Sequence, residues 1–374
     1  MTTTPVPSSS LARRDFLKTV GLATASAAVA APALSFAQES GQTLTVAFVG
    51  CAHIHTPQFV GMLKRRPDVK VKGVWDHDQA RAEKRARELG TQTIPDAKSV
   101  WDDPAINAVV ICSETNRHRD LVLPAAAAKK HMFVEKPLGI TAAESYEMAE
   151  AIAKNNLLFT TGYFMRTQPQ NLFLKEQIAA GAFGKITRVR GSNCHSGSLG
   201  GWFDTEWRWM ADPKIAGVGG FGDLGTHSLD ILMWLLGDVE AITADIKVVT
   251  GRYGDCDESG EALIKFKSGV TATLAAGWVD VLDPVTIQIS GTEGHAVKFG
   301  NDLYFKSKKV EGADGGDPWR KLPKAPKLPL DQFLNAVAGQ KDQPLVTPRE
   351  AAARVAVMEA AYKAAKTGTW AKPA

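Results

Sequence analysis

The sequence predicts an α/β protein in which a domain with a parallel sheet precedes an α+β domain with a mostly antiparallel open sheet. From residue 43 to about residue 162, short apolar runs alternate with segments of helical periodicity, which indicates parallel strands covered by helices on both faces. Beyond Tyr163, apolar runs of strand length follow one another with short glycine-containing connections, a pattern typical of hairpins. We therefore place the two domains at residues 38–162 and 163–374.

The first domain consists of strands and helices in strict alternation, beginning and ending with a strand. In chain order they read LTVAFVG, TPQFVGMLKRR, VKVKGVWD, DQARAEKRARELG, AINAVVICS, HRDLVLPAAAAKK, HMFVEKP, TAAESYEMAEAIAKNN and LLFTTGYF. Gly90 ends the second helix, because glycine adopts the left-handed conformation that closes a helix. Thr141 is placed to cap the last helix, and Glu144 to complete a capping box.

The second domain begins with a helix, PQNLFLKEQIAAGAFG, and a strand, KITRVRGSN. A Trp- and Gly-rich stretch and an apolar helix, HSLDILMWLLG, precede a series of strands that read AITADIKVV, EALIKFKS, VTATLAAGW, VTIQISGT, HAVKFGN and LYFKSK. After a loop rich in Gly, Pro and Lys come two closing helices that are free to pack back on the first domain. An open sheet covered by helices on one face leaves the other face for a second subunit, so we expect a homo-oligomer.

The N-terminal residues predict a twin-arginine (Tat) export signal. Arg13 and Arg14 precede a weakly apolar stretch at 19–31, and the small residues up to Ala37 predict cleavage there. The stretch is too short for a stable membrane span, which needs about 20 apolar residues. A plain Sec signal is the alternative. Because the Tat machinery exports folded proteins, we expect a periplasmic protein that carries a cofactor acquired before export.

Charge and cysteine spacing exclude several classes of function. The net charge of +4 is small and no basic run is interleaved with aromatic residues, so we expect no nucleic-acid partner. The four cysteines have no spacing typical of metal sites. Cys51 and Cys112 each follow a predicted strand and could pair in an oxidising compartment, but two buried thiols are the favoured interpretation.

The turn after the first strand, GCAHIHT, has part of the pattern that binds a dinucleotide. Gly50 permits the tight exit from the strand, and Ala52 is small enough for the backbone to approach a pyrophosphate. His55 stands where a third small residue normally packs the helix against the strand, so its ring must push the helix outward or point into the crevice. We expect His53 and Ile54 to lie beside the cofactor, although the two histidines also raise the alternative of a metal site.

Asp76 ends the second strand, close to the position from which an acidic residue binds the adenosine ribose. A carboxylate there accepts hydrogen bonds from the ribose hydroxyls and repels a 2′-phosphate, which favours NAD over NADP. An aspartate that caps a helix is the alternative interpretation.

Two further motifs contain ionisable groups, one at the end of a predicted strand and one on the face of a predicted helix. In FVEKPLG, Glu135 and Lys136 end an apolar strand, at the edge of a parallel sheet where ligands bind. In GGFGDLGTHSLD, Asp223, His227 and Asp230 lie at helical spacing on one face of an apolar helix. A histidine beside a carboxylate is suited to proton transfer.

The EKP motif, the D-x-x-x-H segment and the WR pair at 207–208 together resemble the Gfo/Idh/MocA oxidoreductases, relatives of inositol dehydrogenase and glucose-fructose oxidoreductase. The resemblance covers the chain after the signal and implies a Rossmann-type first domain that binds NAD. It also implies that Lys136 contacts the nicotinamide ribose and the reacting oxygen, and that His227, paired with Asp223, takes the hydroxyl proton. The residues of SETNRH that would contact the cofactor are Ser113, Glu114, Asn116 and His118.

A carbohydrate or polyol is the substrate class that the resemblance implies. Aromatic rings stack on the C–H faces of sugars, and GWFDTEWRWM contains Trp202, Trp207 and Trp209. A hydrophobic flap or a subunit contact is an equal alternative for these rings. We expect Arg166 and Arg208, together with Trp207 and Asp230, to bind substrate.

The leading hypothesis is an NAD-dependent oxidoreductase that acts on a sugar, sugar derivative or polyol and recycles a tightly bound cofactor within each turnover. A redox-neutral, NAD-dependent glycosidase is an alternative of the same family. A non-catalytic sugar- or NAD-binding protein is an alternative of another class. A further alternative is a metalloenzyme whose ligands come from His53, His55, His77 and His118. No spacing completes a metal motif, so we expect no metal.

Overall fold

The computed structural model describes residues 44–374, so the predicted export signal and its cleavage site lie outside the described residues. The first domain contains a six-stranded sheet in the order β3-β2-β1-β4-β5-β6, and all neighbouring strands are parallel. The strands are β1 (Leu44–Val49), β2 (Val69–Trp75), β3 (Gln92–Thr93), β4 (Ala108–Ile111), β5 (His131–Val134) and β6 (Phe159–Thr161). The order reverses between β1 and β4, where ligands bind in open α/β sheets.

Helices cover both faces of this sheet because its central strands, β1 and β4, carry buried apolar side chains on both faces. Val46 and Phe48 face one hydrophobic cluster, whereas Ala47 and Val49 face the other. The helices are α1 (Thr56–Lys64), α2 (Gln79–Leu89), α3 (Ala97–Asp102), α4 (His118–Ala127) and α5 (Ala142–Lys154). The sequence did not predict β3 and α3, because both are short and have little periodicity.

The caps of these helices agree in part with the sequence. Gly90 closes α2 in the left-handed conformation at φ 66°, as predicted. Thr141 caps α5 by accepting from the Glu144 N–H at 3.2 Å. No full capping box forms at α5; among residues 44–374 it lies between Thr347 and Glu350.

The second domain contains an eight-stranded sheet in the order β14-β13-β12-β11-β7-β10-β9-β8. Among the described strands of this second sheet, only β7 and β10 form a parallel pair, which confirms a mostly antiparallel sheet. Its strands are β7 (Ile186–Cys194), β8 (Val239–Lys247), β9 (Ser259–Phe266), β10 (Thr271–Gly277), β11 (Val285–Gly291), β12 (Gly294–Phe299), β13 (Asp302–Ser307) and β14 (Asp314–Pro318). The prediction placed β14 in a loop, because its sequence DGGDP contains residues that disfavour strands.

The remaining helices connect the second sheet to the first domain. They are α6 (Pro169–Ala179), α7 (Pro213–Ala216), α8 (Gly220–Leu236), α9 (Pro329–Val337) and α10 (Pro348–Thr367). Leu229, Leu232 and Met233 of α8 are buried in the core of the second domain. Helices α9 and α10 contribute to the two hydrophobic clusters of the first domain. No helix among residues 44–374 is long and apolar enough to cross a membrane.

A buried ion cluster joins α8 to α10. The fully buried carboxylate of Asp230 accepts two hydrogen bonds from Arg166, at 2.6 and 2.8 Å, and one from Arg354 Nε at 2.9 Å. Glu350 lies 3.0 Å from Arg166. These charges satisfy one another, so the cluster is part of the structural core.

Replacing Asp230 by Ala is expected to lower the free energy of unfolding by about 3–5 kcal/mol, because two buried guanidinium groups lose their shared partner. Urea unfolding followed by circular dichroism measures this. Asp245→Ala is the matched control, because the Asp245 side chain is 75% exposed and pairs only with Lys247 in the described part of the chain. Equal unfolding midpoints for the two variants would contradict the assignment.

Candidate active site

A cavity of about 290 Å³ lies where the two domains meet at the carboxyl edge of the parallel sheet. The first domain lines it with Ile54 and His55, from the turn after β1, and with Lys136, which follows β5. The second domain contributes Asp223 and His227 from α8. The structure therefore brings together the three residues for which the sequence predicted a catalytic role.

Lys136 presents a buried ammonium to this cavity. Its Nζ donates to Asp223 Oδ1 at 2.7 Å, and the lysine side chain is 2% exposed. The other carboxylate oxygen of Asp223 accepts from Trp278 Nε1 at 3.1 Å. Burial alone raises a carboxyl pKa, but the Lys136 ammonium outweighs this effect and holds the pKa of Asp223 well below its usual range. The ionised Asp223 therefore fixes the position of the ammonium.

His227 lies on the same face of α8, one turn after Asp223. Burial, reinforced by the nearby Lys136 ammonium, lowers the pKa of His227 well below its ordinary value. The edge of the Phe164 ring packs against it at a centroid distance of 5.0 Å, and its Nδ1 is buried without a partner among the described residues. The imidazole is therefore neutral at physiological pH and able to accept a proton.

Glu135 is a fully buried carboxylate behind the lysine. His55 Nδ1 lies 3.0 Å from Glu135 Oε1, and the Lys136 backbone N–H donates to Oε2 at 2.6 Å. Burial raises its pKa, but the contact with His55 and the Lys136 charge outweigh this effect, so the pKa of Glu135 lies well below its usual range. Of the two expectations for His55, the structure shows the second: its ring turns into the crevice instead of pushing α1 outward.

The ligand atoms of His53, His55 and Glu135 lie within 4.8 Å of one another, a distance at which they could hold a metal ion. Their hydrogen bonds favour another interpretation. His53 Nδ1 accepts from the His55 backbone N–H at 3.2 Å, and burial lowers the pKa of His53 to about 3. A neutral ring that accepts at Nδ1 carries its proton on Nε2, so its one available lone pair is already engaged by the His55 N–H. The absence of a metal stays a prediction.

The turn after β1 has the backbone geometry of a phosphate-binding loop. Gly50 adopts φ +75°, and a Cβ there would lie 2.5 Å from Ser113 Cβ, so only glycine fits. The backbone N–H groups of Ala52 and Ile54 have no hydrogen-bond partner within residues 44–374. Free N–H groups at the start of a helix bind anions such as a pyrophosphate.

Asp76 is already extensively hydrogen-bonded. Its Oδ2 accepts from the Cys51 N–H at 2.6 Å, and its Oδ1 accepts from the Asp78 N–H at 2.7 Å and from Arg81 at 2.9 Å. Arg81 also donates to Glu114 Oε1 at 2.8 Å. Because two carboxylates surround this one guanidinium, the local charge disfavours a 2′-phosphate, which agrees with NAD as the cofactor.

Unsatisfied polar atoms continue along the same edge. Thr56 Oγ1, Glu114 Oε2 and His118 Nε2 are buried and accept or donate no hydrogen bond among the described residues. Such atoms call for a bound group or water. Asn116 is exposed in the single turn of 3₁₀ helix at Thr115–Arg117. The residues of this edge therefore fit a dinucleotide, and the individual contacts stay predictions.

The residues predicted to bind substrate lie outside the cavity. Arg166 and Asp230 pair with each other in the core cluster described above. Trp207 packs against the core of the second domain, and the Arg208 guanidinium stacks on Tyr253 at 4.7 Å. The sequence pattern placed these residues near the catalytic segment, but the fold turns their side chains to other neighbours.

The cavity wall contains two polar residues that the sequence analysis missed, Asn193 and His195. The His195 ring packs on Trp202 at a centroid distance of 4.7 Å, and its Nδ1 accepts from the Gly197 N–H at 2.9 Å. The remaining proton of a neutral His195 is therefore on Nε2, as a donor. The sequence did contain a signal for them: Asn193 and His195 are two residues apart at the end of β7, so their side chains point to the same side of the strand.

The cysteines form no disulfide among the described residues. Cys51 and Cys112 are both free and buried, in agreement with the favoured interpretation. Burial raises the pKa of each thiol well above its usual value, so both remain protonated.

Two regions of the chain match models of known protein families. Residues 44–163 match the family described as "Oxidoreductase family, NAD-binding Rossmann fold", and residues 172–297 match the "GFO/IDH/MocA C-terminal domain". The chain belongs to the Gfo/Idh/MocA oxidoreductase family. The two matched regions correspond to the parallel-sheet domain and to most of the open-sheet domain, so the resemblance inferred from the motifs is confirmed.

Members of the Gfo/Idh/MocA family with assigned activities are similar to this chain. The scyllo-inositol 2-dehydrogenase (NAD(+)) of Bacillus subtilis is 28% identical over 81% of this chain and 88% of its own length. The levoglucosan dehydrogenase of Pseudarthrobacter phenanthrenivorans is 29% identical over 58% of this chain, and the match spans 61% of that protein.

A solved levoglucosan dehydrogenase in complex with NADH and levoglucosan superimposes with a TM-score of 0.77. It covers 89% of this chain and 100% of its own, and at 22% identity it shows the fold alone. Together the comparisons confirm the predicted fold class and NAD as the cofactor of an oxidoreductase.

Proposed function

We propose that the protein oxidises a secondary hydroxyl of a sugar, sugar derivative or polyol by hydride transfer to NAD. The observation that carries this proposal is the buried Lys136 ammonium, 2.7 Å from the Asp223 carboxylate and beside the neutral His227, in one cavity at the sheet edge. The dehydrogenase relatives support the substrate class.

The side chains divide the reaction between them. Lys136 donates a hydrogen bond to the substrate hydroxyl oxygen and stabilises the negative charge that develops there as the proton leaves. His227 accepts that proton as general base. When bound, NAD supplies the acceptor for the hydride that leaves the carbon. The products are a carbonyl group, a reduced cofactor and one proton held on His227, and the reverse direction uses the same groups.

Asp223 acts by holding Lys136 in place, and Trp278 in turn holds Asp223. A carboxylate that accepts from both sides cannot rotate without losing a buried hydrogen bond, so the ammonium is preorganised before substrate binds. His195 offers an Nε2 donor to a further hydroxyl, and the exposed face of Trp202 is suited to the C–H face of a sugar ring.

We further propose that the protein is exported to the periplasm by the Tat machinery and retains its NAD there. The support is the twin-arginine pattern at 13–14, since a protein exported in the folded state can carry a cofactor bound in the cytoplasm. A retained cofactor has to be reoxidised in place, by reduction of a second carbonyl or of an intermediate formed from the same substrate. A homo-oligomer also stays a proposal, supported by the exposed Val285 and Phe299 of the second sheet.

Protein purified from the exported fraction is expected to contain close to one NAD(H) per chain. The measurement is an absorbance spectrum and a cycling assay on the supernatant after denaturation. Product analysis with sugars and glycosides complements it, because a redox-neutral enzyme gives no change in NADH absorbance. An exported, folded protein without NAD(H) would contradict the proposal of a retained cofactor.

A further inference from the structure

A segment of the second domain crosses the cofactor edge of the first. We call residues 202–217, between β7 and α8, the strap. It touches the chain after each of four parallel strands, through Glu206 at α2, Trp209 at the turn after β1, α7 at the 3₁₀ turn after β4, and Gly217 next to Ile140 after β5. These are the loops along which the proposed NAD lies.

Trp209 is the central contact of the strap. Its indole N–H donates to the carbonyl oxygen of Ala52 at 3.0 Å, and its ring lies against His53 at a centroid distance of 6.0 Å. Ala52 belongs to the turn whose free N–H groups fit a pyrophosphate. The indole therefore binds a carbonyl oxygen of this turn, while the N–H groups of the same turn remain available to the cofactor.

Glu206 secures the strap at the adenosine side of the crevice. Its carboxylate lies 3.0 Å from Lys84 Nζ and 3.5 Å from the Arg85 guanidinium, both on α2. Helix α2 begins three residues after Asp76, the residue proposed to lie at the adenosine ribose. On the other side of the crevice, α7 packs against the 3₁₀ turn after β4. The strap thus crosses the adenosine half of the site, with one contact at α2 and another at the turn after β4.

The strap is anchored more firmly in its own domain. The buried Phe203 ring packs on Trp278 at a centroid distance of 4.3 Å, and Met210 is also buried in that core. Its contacts with α2 are ion pairs of Glu206, a side chain that is 37% exposed. A separation of the two domains would break these ion pairs, the Trp209 hydrogen bond and the packing of α7 and Gly217 on the first domain, and would leave the Phe203 and Met210 contacts intact.

We infer that the strap is a clasp for the cofactor, and that Trp209 and Glu206 are positioning residues that slow its release. A dinucleotide that extends from Asp76 to Lys136 passes beneath the strap and leaves only after the contacts with the first domain open. This inference rests on the proposed NAD site and explains how an exported protein keeps its cofactor without a covalent bond.

The test measures the rate at which bound NAD(H) leaves the exported protein, with an excess of an NADH-consuming dehydrogenase as trap. Trp209→Phe keeps the ring and removes one hydrogen bond, so release is expected to be about tenfold faster. Glu206→Lys replaces attraction by repulsion, and about fivefold faster release is expected. Glu83→Gln is the matched control, because Glu83 lies on α2 but pairs with Arg87 of the same helix.

A charge swap separates a clasp from a general loss of stability. The double variant Lys84→Glu with Glu206→Lys restores an ion pair of reversed polarity, so its release rate is expected to return toward that of the wild type. Release rates of Trp209→Phe and Glu206→Lys equal to those of the wild type and the control would overturn the clasp while leaving the NAD site intact. A wild-type protein that binds no NAD at all would overturn the proposed function itself, and the clasp with it.

Discussion

Lys136→Met is expected to lower kcat for substrate oxidation at least a hundredfold while NAD remains bound. The substitution keeps the length of the side chain but removes the ammonium that stabilises charge on the reacting oxygen, and loss of one such donor typically costs a factor of about 10²–10³. It also leaves the buried Asp223 carboxylate with Trp278 as its remaining side-chain donor. The measurement is single-turnover formation of carbonyl product, followed by mass spectrometry.

The matched control is Lys154→Met, because Lys154 is exposed at the end of α5. This variant is expected to react at the wild-type rate. A Lys136→Met protein that holds NAD and retains more than a tenth of the wild-type kcat would contradict the role assigned to the ammonium.

His227→Asn is expected to lower kcat by a factor of about 10²–10⁴, the usual contribution of a general base. The pH dependence is the more specific readout. Since the folded-state pKa of His227 is depressed, the ring stays neutral as the pH falls through the ordinary histidine range, and it loses base function only below that range. The wild-type kcat/KM for oxidation is therefore expected to stay level through pH 6.5 and to decline at lower pH.

The low-pH decline is expected to disappear in His227→Asn and to persist in the control His295→Asn, whose ring lies on β12. Profiles of kcat/KM against pH in the oxidative direction, with protein stability checked at each pH, provide the comparison. A wild-type profile that falls with an apparent pKa near 6.5 would show that the base titrates as an ordinary histidine and contradict the buried, neutral ring.

Sequence reasoning found the residues whose position follows from local structure. Lys136 ends a strand of a parallel sheet, and strand ends meet at the ligand edge. Asp223 and His227 are four residues apart, so any helix through them places both on one face. The first domain was also predictable from local patterns. A strand buried on both faces reads as an unbroken apolar run, and such runs alternate with helical segments along residues 43–162.

Residues that depend on the relation between distant segments could not be predicted in this way. Asp230 shares the helical face of His227, but α10 brings Arg354 to it and converts it to a core ion cluster. His195 acquires its place in the cavity from the pairing of β7 with β10 and β11, which no local pattern determines. The sequence left a sugar platform and a hydrophobic flap as equal alternatives for Trp209, and it is the approach of the two domains that places the indole N–H on the Ala52 carbonyl oxygen.

Isotope transfer into the cofactor is the most direct test of the central claim, that these residues direct hydride transfer to NAD. The enzyme is incubated with carbon-deuterated sugars and polyols, and the cofactor is extracted and analysed by mass spectrometry. We expect deuterium in the nicotinamide ring with any substrate that is consumed, including in a redox-neutral cycle, and deuterium transfer at least a hundredfold slower with Lys136→Met. Consumption of a deuterated substrate without deuterium in the cofactor would contradict the account.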